Sequence, residues 1–245
     1  MATWMVHLRV AEKVLDKISG LDAGQFAIGN VAPDSGVPDE KWENFDPPKE
    51  VTHYLVENPE GPWFKFEDLR FLQEELLGKV SLEDDPVKFS FLFGYFCHLA
   101  TDNMWADRIS RPMIEEHADE VEADRSGFIW EVKKDWYGLD FTYVRTHPDC
   151  LFWSTFLAAQ YSTNYLSFFP EQAIPTQLEY IKTFYQRTDE KIEQSFRLED
   201  NIYLNEAEMA LFVDGAYRSL LRIYQMIWEQ DESLTGMTTS LELLG

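Results

Sequence analysis

The stretch from Pro86 to Trp105, PVKFSFLFGYFCHLATDNMW, sets His98 and Asp102 four residues apart among Phe91, Phe93, Tyr95, Phe96 and Trp105. Pro86 suits the first turn of a helix, and Pro112 lies just beyond where one would stop. A central helix is therefore expected from about Pro86 to Ile109. At this spacing both polar side chains leave the same helical face, about 6 Å apart at their Cβ atoms. Burying an imidazole and a carboxylate among aromatic rings is costly without a compensating partner. A metal ion that takes both side chains would be such a partner.

Helical periodicity continues on both sides of this segment. Trp4 to Ser19 places His7, Ala11, Val14 and Ile18 on one stripe, with Gly20 as a stop signal. A short helix is expected over Asp22 to Ile28, and another over Phe66 to Leu77. The acidic run from Pro112 to Trp136 reads as helix with a break at Gly138. Three long helices are expected over Pro148 to Phe169, Pro175 to Phe196, and Glu206 to Glu229. The last carries the stripe Met209, Phe212, Val213, Ala216, Leu220 and Ile223. Six prolines punctuate the chain from Pro33 to Pro62, which reads as a long ordered loop, a kind of segment that usually carries function. No stretch alternates convincingly as a strand, and no repeat or linker divides the chain. The expectation is one all-α domain over residues 1–245, with metal ligands on the long loop.

Charge narrows the partners. With 44 acidic against 21 basic residues, the net charge of −23 repels nucleic acid and anionic membrane surfaces. A phosphate substrate stays compatible, because bound cations invert the potential locally. Only two cysteines occur, Cys97 and Cys150, without a CxxC pair, which points to a reducing compartment. The start MATWMVHLRV lacks a basic segment followed by an apolar one, and the run Phe89 to Leu99 is too short to span a bilayer. The expectation is a soluble cytoplasmic protein.

Three more residues of ligand type precede the helix pair: His7, Asp34 in AIGNVAPDSG, and His53 in KEVTHYL. Each has an ordinary structural reading alone: a helix-end or interface histidine, a turn residue after Pro33, a surface loop residue. As a set with His98 and Asp102 they supply imidazoles and carboxylates suited to zinc or another first-row divalent ion. One site would use Asp34, His53, His98 and Asp102. A second ion could share Asp102 and take His7. Paired ions of this kind clamp the attacking and leaving oxygens of a phosphoester displacement.

The order of an early His, GN-x-x-PD, TH, and then GY-x-x-HL-x-x-D resembles the zinc-dependent phospholipase C family, which is related to the fungal single-strand nucleases. The likeness covers residues 4 to about 105. It implies an all-α fold and a zinc held by Asp34, His53, His98 and Asp102. It implies a second zinc bridged by Asp102, with His7 and the chain's N-terminal amine and carbonyl. The implied chemistry is phosphodiester hydrolysis by a water that the ions activate, with Asp34 orienting or deprotonating that water.

The chain departs from the family pattern in three places. Relatives begin at a Trp whose amine is a ligand, whereas Trp4 is internal. Relatives place a ligand of a third zinc where Arg108 stands; Arg108 is either a fixed cation for phosphate on that face or an ordinary cation at a helix C-terminus, where positive charge is favoured. Relatives also carry a later His-x-x-x-Glu or Asp pair. Here His117 is followed at four positions by Val121, and His147 by Leu151. Glu131 and Asp135 share that spacing, and Asp135, beside Trp136, is the nearest substitute ligand. His117, in an acidic run, reads as a surface residue, and Lys133 and Lys134 as surface charges that could also face a phosphate. One or two zinc ions are therefore expected. The substrate would be a small phosphodiester or a zwitterionic phospholipid, and nucleic acid is disfavoured. The competing reading is a non-catalytic descendant that keeps a structural metal, or none, and acts as a binding or scaffold protein.

Overall fold

The computed structural model describes residues 1–40, 44–57 and 64–244. Its centre is the expected helix. Here α1 is Trp4–Leu15, α2 is Ala23–Gly29, α3 is Lys49–Thr52, α4 is Asp68–Phe71 and α5 is Pro86–Trp105. Asp85 caps α5 by accepting from the Lys88 amide at 3.0 Å, and Pro86 occupies its first turn. Every residue of α5 from Phe89 to Trp105 is buried, so this helix has no solvent face from there on. A helix apolar all round belongs in a core. No helix among the described residues is long and apolar enough to cross a membrane.

The rest of the fold wraps this axis. Then come α6 (Arg111–Glu116), α7 (Ala118–Thr146), α8 (Ala173–Tyr185), α9 (Glu190–Ser195) and α10 (Glu206–Tyr224). The α10 stripe is buried as its periodicity predicts, and α1 packs against α10. A capping box between Asn205 and Glu208 starts α10. Among the described residues the chain is all-α apart from two short antiparallel ribbons. Val37–Pro38 pairs with Phe45–Asp46, and Leu55–Glu57 pairs with Phe64–Phe66. These ribbons and α3 lie within the long ordered loop expected from Pro33 to Pro62, of which 41–43 and 58–62 lie outside the described residues.

Other boundaries also differ. The α7 helix kinks at Asp124 (φ −155°, ψ 88°) and runs through Gly138 without a break. A Cβ at Gly138 would sit 1.8 Å from the carbonyl oxygen of Arg197, so this glycine serves a close backbone approach. The expected helix over Pro148 to Phe169 is reduced to one turn at Phe152–Phe156. Beyond it, Asn164 binds locally, donating to the Phe169 carbonyl at 2.9 Å and accepting from the Leu166 amide at 3.3 Å. Such side-chain bonds compete with the helix. The expected helix over Pro175 to Phe196 is also divided: α8 stops at Tyr185, and Asp189, which pairs with Arg187, caps α9.

Two glycines set the crossing that matters most. Where α2 meets α5, a Cβ on Gly29 would lie 2.1 Å from the Phe91 carbonyl oxygen, and one on Gly94 would lie 2.4 Å from that of Phe26. Only hydrogen at both positions allows the two backbones to touch. Asn30, the residue after α2, is thereby pressed against the middle of α5.

Candidate metal centre

Five side chains converge from four segments. His7 comes from α1, which Thr3 caps by accepting from the Val6 amide. Asp34 closes a 3-10 turn, Ala32–Asp34, that Pro33 helps to start. His53 ends α3, and Tyr54 after it adopts φ 49°, a left-handed turn costly for an aromatic residue. His98 and Asp102 come from α5 on successive turns. Asp34 retains 14% side-chain exposure, while the side chains of His7, His53, His98 and Asp102 retain none.

The partners of each ring fix which nitrogen is free. His98 donates from Nδ1 to the Asn30 carbonyl at 2.8 Å, so its Nε2 turns inward. Nδ1 of His53 meets the Thr52 hydroxyl at 2.9 Å and leaves its Nε2 inward as well. These outer bonds are the kind that orient histidine ligands. From His53 Nε2, His98 Nε2 and Asp34 Oδ1 both lie at 3.4 Å, and Asp102 Oδ2 at 3.9 Å. His98 Nε2 and Asp102 Oδ2 are 3.4 Å apart. Ligands at 2.0–2.2 Å on a tetrahedron stand about 3.3–3.6 Å from each other. Asp34, His53 and His98 are thus spaced as donors around one small cation, and Asp102 Oδ2 adjoins them at His98 while standing further from His53.

The other oxygen of Asp102 serves a second group. Oδ1 accepts the Ala2 amide at 2.8 Å and lies 3.5 Å from His7 Nε2, while the His7 ring stacks on His98 with centroids 3.8 Å apart. Both ring nitrogens of His7 and Oδ2 of Asp102 are buried without any hydrogen-bond partner. An orphaned buried polar atom costs about 1–3 kcal/mol. Bound cations would satisfy Oδ2 of Asp102 and one ring nitrogen of His7. The groups His7, His98, Asp102 and Asp34, His53, His98 can each hold a metal ion. Because Nδ1 of His98 is committed to Asn30, its one free nitrogen can serve only one ion. The Asp34 side then has four donors, and the His7 side has two.

Electrostatics agree with groups poised for a cation. Burial, with His98 beside it, pushes His7 down to about 4 despite Asp102. Burial also lowers His53, against the pull of Asp34. For His98 burial disfavours the imidazolium, but the charge and hydrogen bond of Asp102 outweigh it and raise the pKa. Burial would raise both carboxylates, yet His98 and His7 hold Asp102, and His53 and His98 hold Asp34, below the usual carboxylate range. Two imidazoles inclined to be neutral beside two ionised carboxylates form a donor set ready for a metal.

Asp135 is not part of it. Its Oδ1 takes Arg197 at 2.9 Å, and its Oδ2 takes the Ile202, Tyr203 and Leu204 amides. The carboxylate is spent on anchoring the segment before α10, with Glu131 on the same arginine. The expected substitute ligand pair is thus a structural clamp. Arg108 also lies elsewhere: it is exposed, 3.4 Å from the Ser219 hydroxyl of α10. A five-residue π turn, Ala106–Ser110, follows α5 and carries it outward. His117 keeps 28% side-chain exposure and packs on Phe128 and Tyr203, bonded to Glu120, and His147 stacks on Tyr143. Cys97 and Cys150 are free and buried.

Sequence reading missed Asn30, Thr52 and the Ala2 amide, which act through main-chain or neighbouring atoms. The Gly29-Asn30 dipeptide carried a signal: a glycine beside a helix end often marks a close backbone approach. A groove of about 760 Å³ between α1 and α10 is lined by Arg9, Glu12, Tyr143 and Glu206, and by none of the five converging residues. Comparison with family models, curated proteins and solved structures finds no match for the chain.

Proposed function

We propose that the protein is a metal-dependent hydrolase of phosphodiesters, similar in chemistry to the zinc-dependent phospholipases C. The observation that carries this reading is the grouping of Asp34, His53 and His98, with Asp102 Oδ2 3.4 Å from His98 Nε2, in the sequence order that the family resemblance implies. Asp34, His53, His98 and Oδ2 of Asp102 would hold one divalent ion, zinc first among the candidates, and His7 with Oδ1 of Asp102 would hold a second. When bound, such a cation offsets phosphate charge and brings the pKa of a water towards ~7.

The chain's own residues do the rest. Asp102 shares its two oxygens between the groups and fixes their separation. The Asn30 carbonyl holds the His98 ring in one tautomer. Asp34 is the one member with solvent access, so its free oxygen is placed to orient the attacking water and hold its proton. Trp4, Tyr137 and Phe184 form an aromatic wall, with ring centroids 5.8 Å apart for Trp4 and Phe184 and 5.7 Å for Tyr137 and Phe184. Such a wall suits the apolar part of a lipid or another small phosphodiester.

A second reading has its own support. The Asp34 side offers four protein donors, which would close a tetrahedron and leave no position for water, as in structural zinc sites. Metal analysis of the purified protein, followed by chromogenic phosphodiesters with and without chelator, separates the two. The hydrolase reading expects bound metal and chelator-sensitive turnover. Bound metal with no turnover on any diester would favour the closed structural site.

A further inference from the structure

His53 projects from the end of α3, a helix of 4 residues, and a helix of one turn is not stable by itself. Its place must therefore be set from outside. The last carbonyls of a helix also lack donors of their own. The buried Tyr95 hydroxyl donates to one of them, the Thr52 carbonyl. Tyr95 is itself held: its ring stacks on Phe71 with centroids 4.4 Å apart, and the Phe168 and Phe169 ring centroids lie 6.5 and 6.4 Å away. The Thr52 side chain completes the link, with its hydroxyl 2.9 Å from Nδ1 of His53. The other side of this corner is tied to α5 as well. Asn103 donates to the Phe66 carbonyl at 2.8 Å and accepts from the Phe66 amide at 3.3 Å, and the Phe66 and His53 ring centroids are 6.0 Å apart. On α5, Tyr95 precedes His98 by three residues and Asp102 by seven, which places all three on one helical face. One helix thus carries two of the donors and the anchor of a third.

We propose that Tyr95 and Thr52 are positioning residues of the metal centre: the Tyr95 hydroxyl fixes the end of α3 to α5, and the Thr52 hydroxyl accepts a hydrogen bond from Nδ1 of His53, so that the Nε2 lone pair is left for the ion. This deepens the metal-centre reading and rests on it, but not on turnover. A threonine hydroxyl can also donate, and donation to Nδ1 would put the imidazole proton on Nε2, where it excludes a cation. Zinc at Nε2 selects the other arrangement, with the proton on Nδ1 and the hydroxyl as its acceptor. Neither Tyr95 nor Thr52 touches the ion; both act through His53.

The experiment measures zinc affinity by competition with a chelating dye, for the wild type, Tyr95→Phe, Thr52→Val, Thr52→Ser and Thr142→Val. The unfolding free energy of each chelated protein is measured alongside. Thr142→Val is the control for stability alone, since it removes a hydroxyl bond to the Leu198 carbonyl at 3.2 Å from α7, which carries none of the five converging side chains. About tenfold weaker zinc binding is expected in Tyr95→Phe and in Thr52→Val, with Thr52→Ser and Thr142→Val unchanged. In NMR of the zinc-loaded protein, the Nδ1 proton of His53 is expected to exchange slowly in the wild type and Thr52→Ser, and faster in Thr52→Val. Wild-type zinc affinity in either Tyr95→Phe or Thr52→Val, or an equal loss in Thr142→Val, overturns the assignment. Turnover of bis(p-nitrophenyl) phosphate by the wild type separates this from the hydrolase reading. Hydroxyl-dependent zinc binding without turnover keeps the positioning pair and removes the hydrolase. Turnover with zinc binding indifferent to both hydroxyls does the reverse, and a wild type that binds no zinc removes both.

Discussion

The main-chain carbonyl of Asn30 lies 2.8 Å from Nδ1 of His98, at a helix crossing that Gly29 and Gly94 make possible. Gly29 and Gly94 let α2 and α5 touch backbone to backbone, which holds a histidine ring by a main-chain atom that cannot change rotamer. Fold and site are therefore coupled at this crossing. Loosening one should loosen the other.

Gly94→Ala tests that coupling. Its Cβ would meet the Phe26 carbonyl oxygen at 2.4 Å and the Asn30 side chain at 3.1 Å, so the helices must part. Destabilisation of about 2–3 kcal/mol is expected, together with weaker metal binding as the His98 ring loses its anchor. Chemical denaturation and metal analysis check both halves. A stable variant with full metal content would show that the contact is dispensable.

Donor counting predicts unequal metal sites. The Asp34 side has four free donor atoms and the His7 side two, so titration of the metal-free protein with zinc should show one tight site and one much weaker. His98→Ala and Asp102→Ala should remove most bound metal, whereas His117→Ala, at a side chain that packs on Phe128 and Tyr203 and bonds Glu120, should change nothing bound. His7→Ala should spare the tight site. Two ions of equal affinity, or loss of both in His7→Ala, would contradict the assignment.

Asp135→Asn separates structural from ligand carboxylates. Asp135 is fully buried beneath Arg197 and three amides, and removing its charge leaves the guanidinium short of a partner. A loss on the order of 3 kcal/mol in stability is expected, with zinc content unchanged in whatever fraction folds. Zinc loss without destabilisation would return Asp135 to the centre.

What the sequence revealed and what it hid divide along physical lines. The α10 stripe and the His98–Asp102 pair were legible because periodicity and spacing are local. The break of the expected Pro148–Phe169 helix was not, because it depends on Asn164 choosing backbone partners over the helix. Gly138 looked like a stop, but it is a contact: its missing Cβ admits the Arg197 backbone, which is distant in sequence. Asp135 was misread for the same reason, since its true partners lie more than 60 residues away. Nothing in a single sequence announces such partners.

Arg108→Ala tests the departure at the end of α5. The side chain is exposed and 3.4 Å from Ser219, a weak contact. Its loss should change stability by less than about 0.5 kcal/mol and leave metal content and phosphate binding as they were. A large effect on phosphate affinity would mean that the arginine reaches the centre after all.

The pH dependence of stability should carry the mark of a carboxyl group outside the centre. Asp140 accepts from the Thr3 hydroxyl at 2.8 Å and from the Tyr185 hydroxyl at 2.7 Å. It is buried, and burial pushes its pKa up to about 7, against those two hydrogen bonds. Arg9 lowers it and Glu206 raises it, but these two pair with each other at 2.7 Å and largely cancel. Between the ordinary carboxyl value of 3.8 and about 7, the folded chain therefore holds a proton that the unfolded chain has released. By linkage, stability falls as pH rises through that window and levels off above it. Asp140→Asn cannot titrate, so the difference in unfolding free energy between variant and wild type should shift in the variant's favour from pH 5 to pH 8. The centre's own histidines and carboxylates are common to both proteins and drop out of the comparison. Urea denaturation of chelated samples at four pH values measures it. A difference that stays constant across the range would mean that Asp140 is ionised throughout, and that its two hydroxyl partners hold the charge against burial.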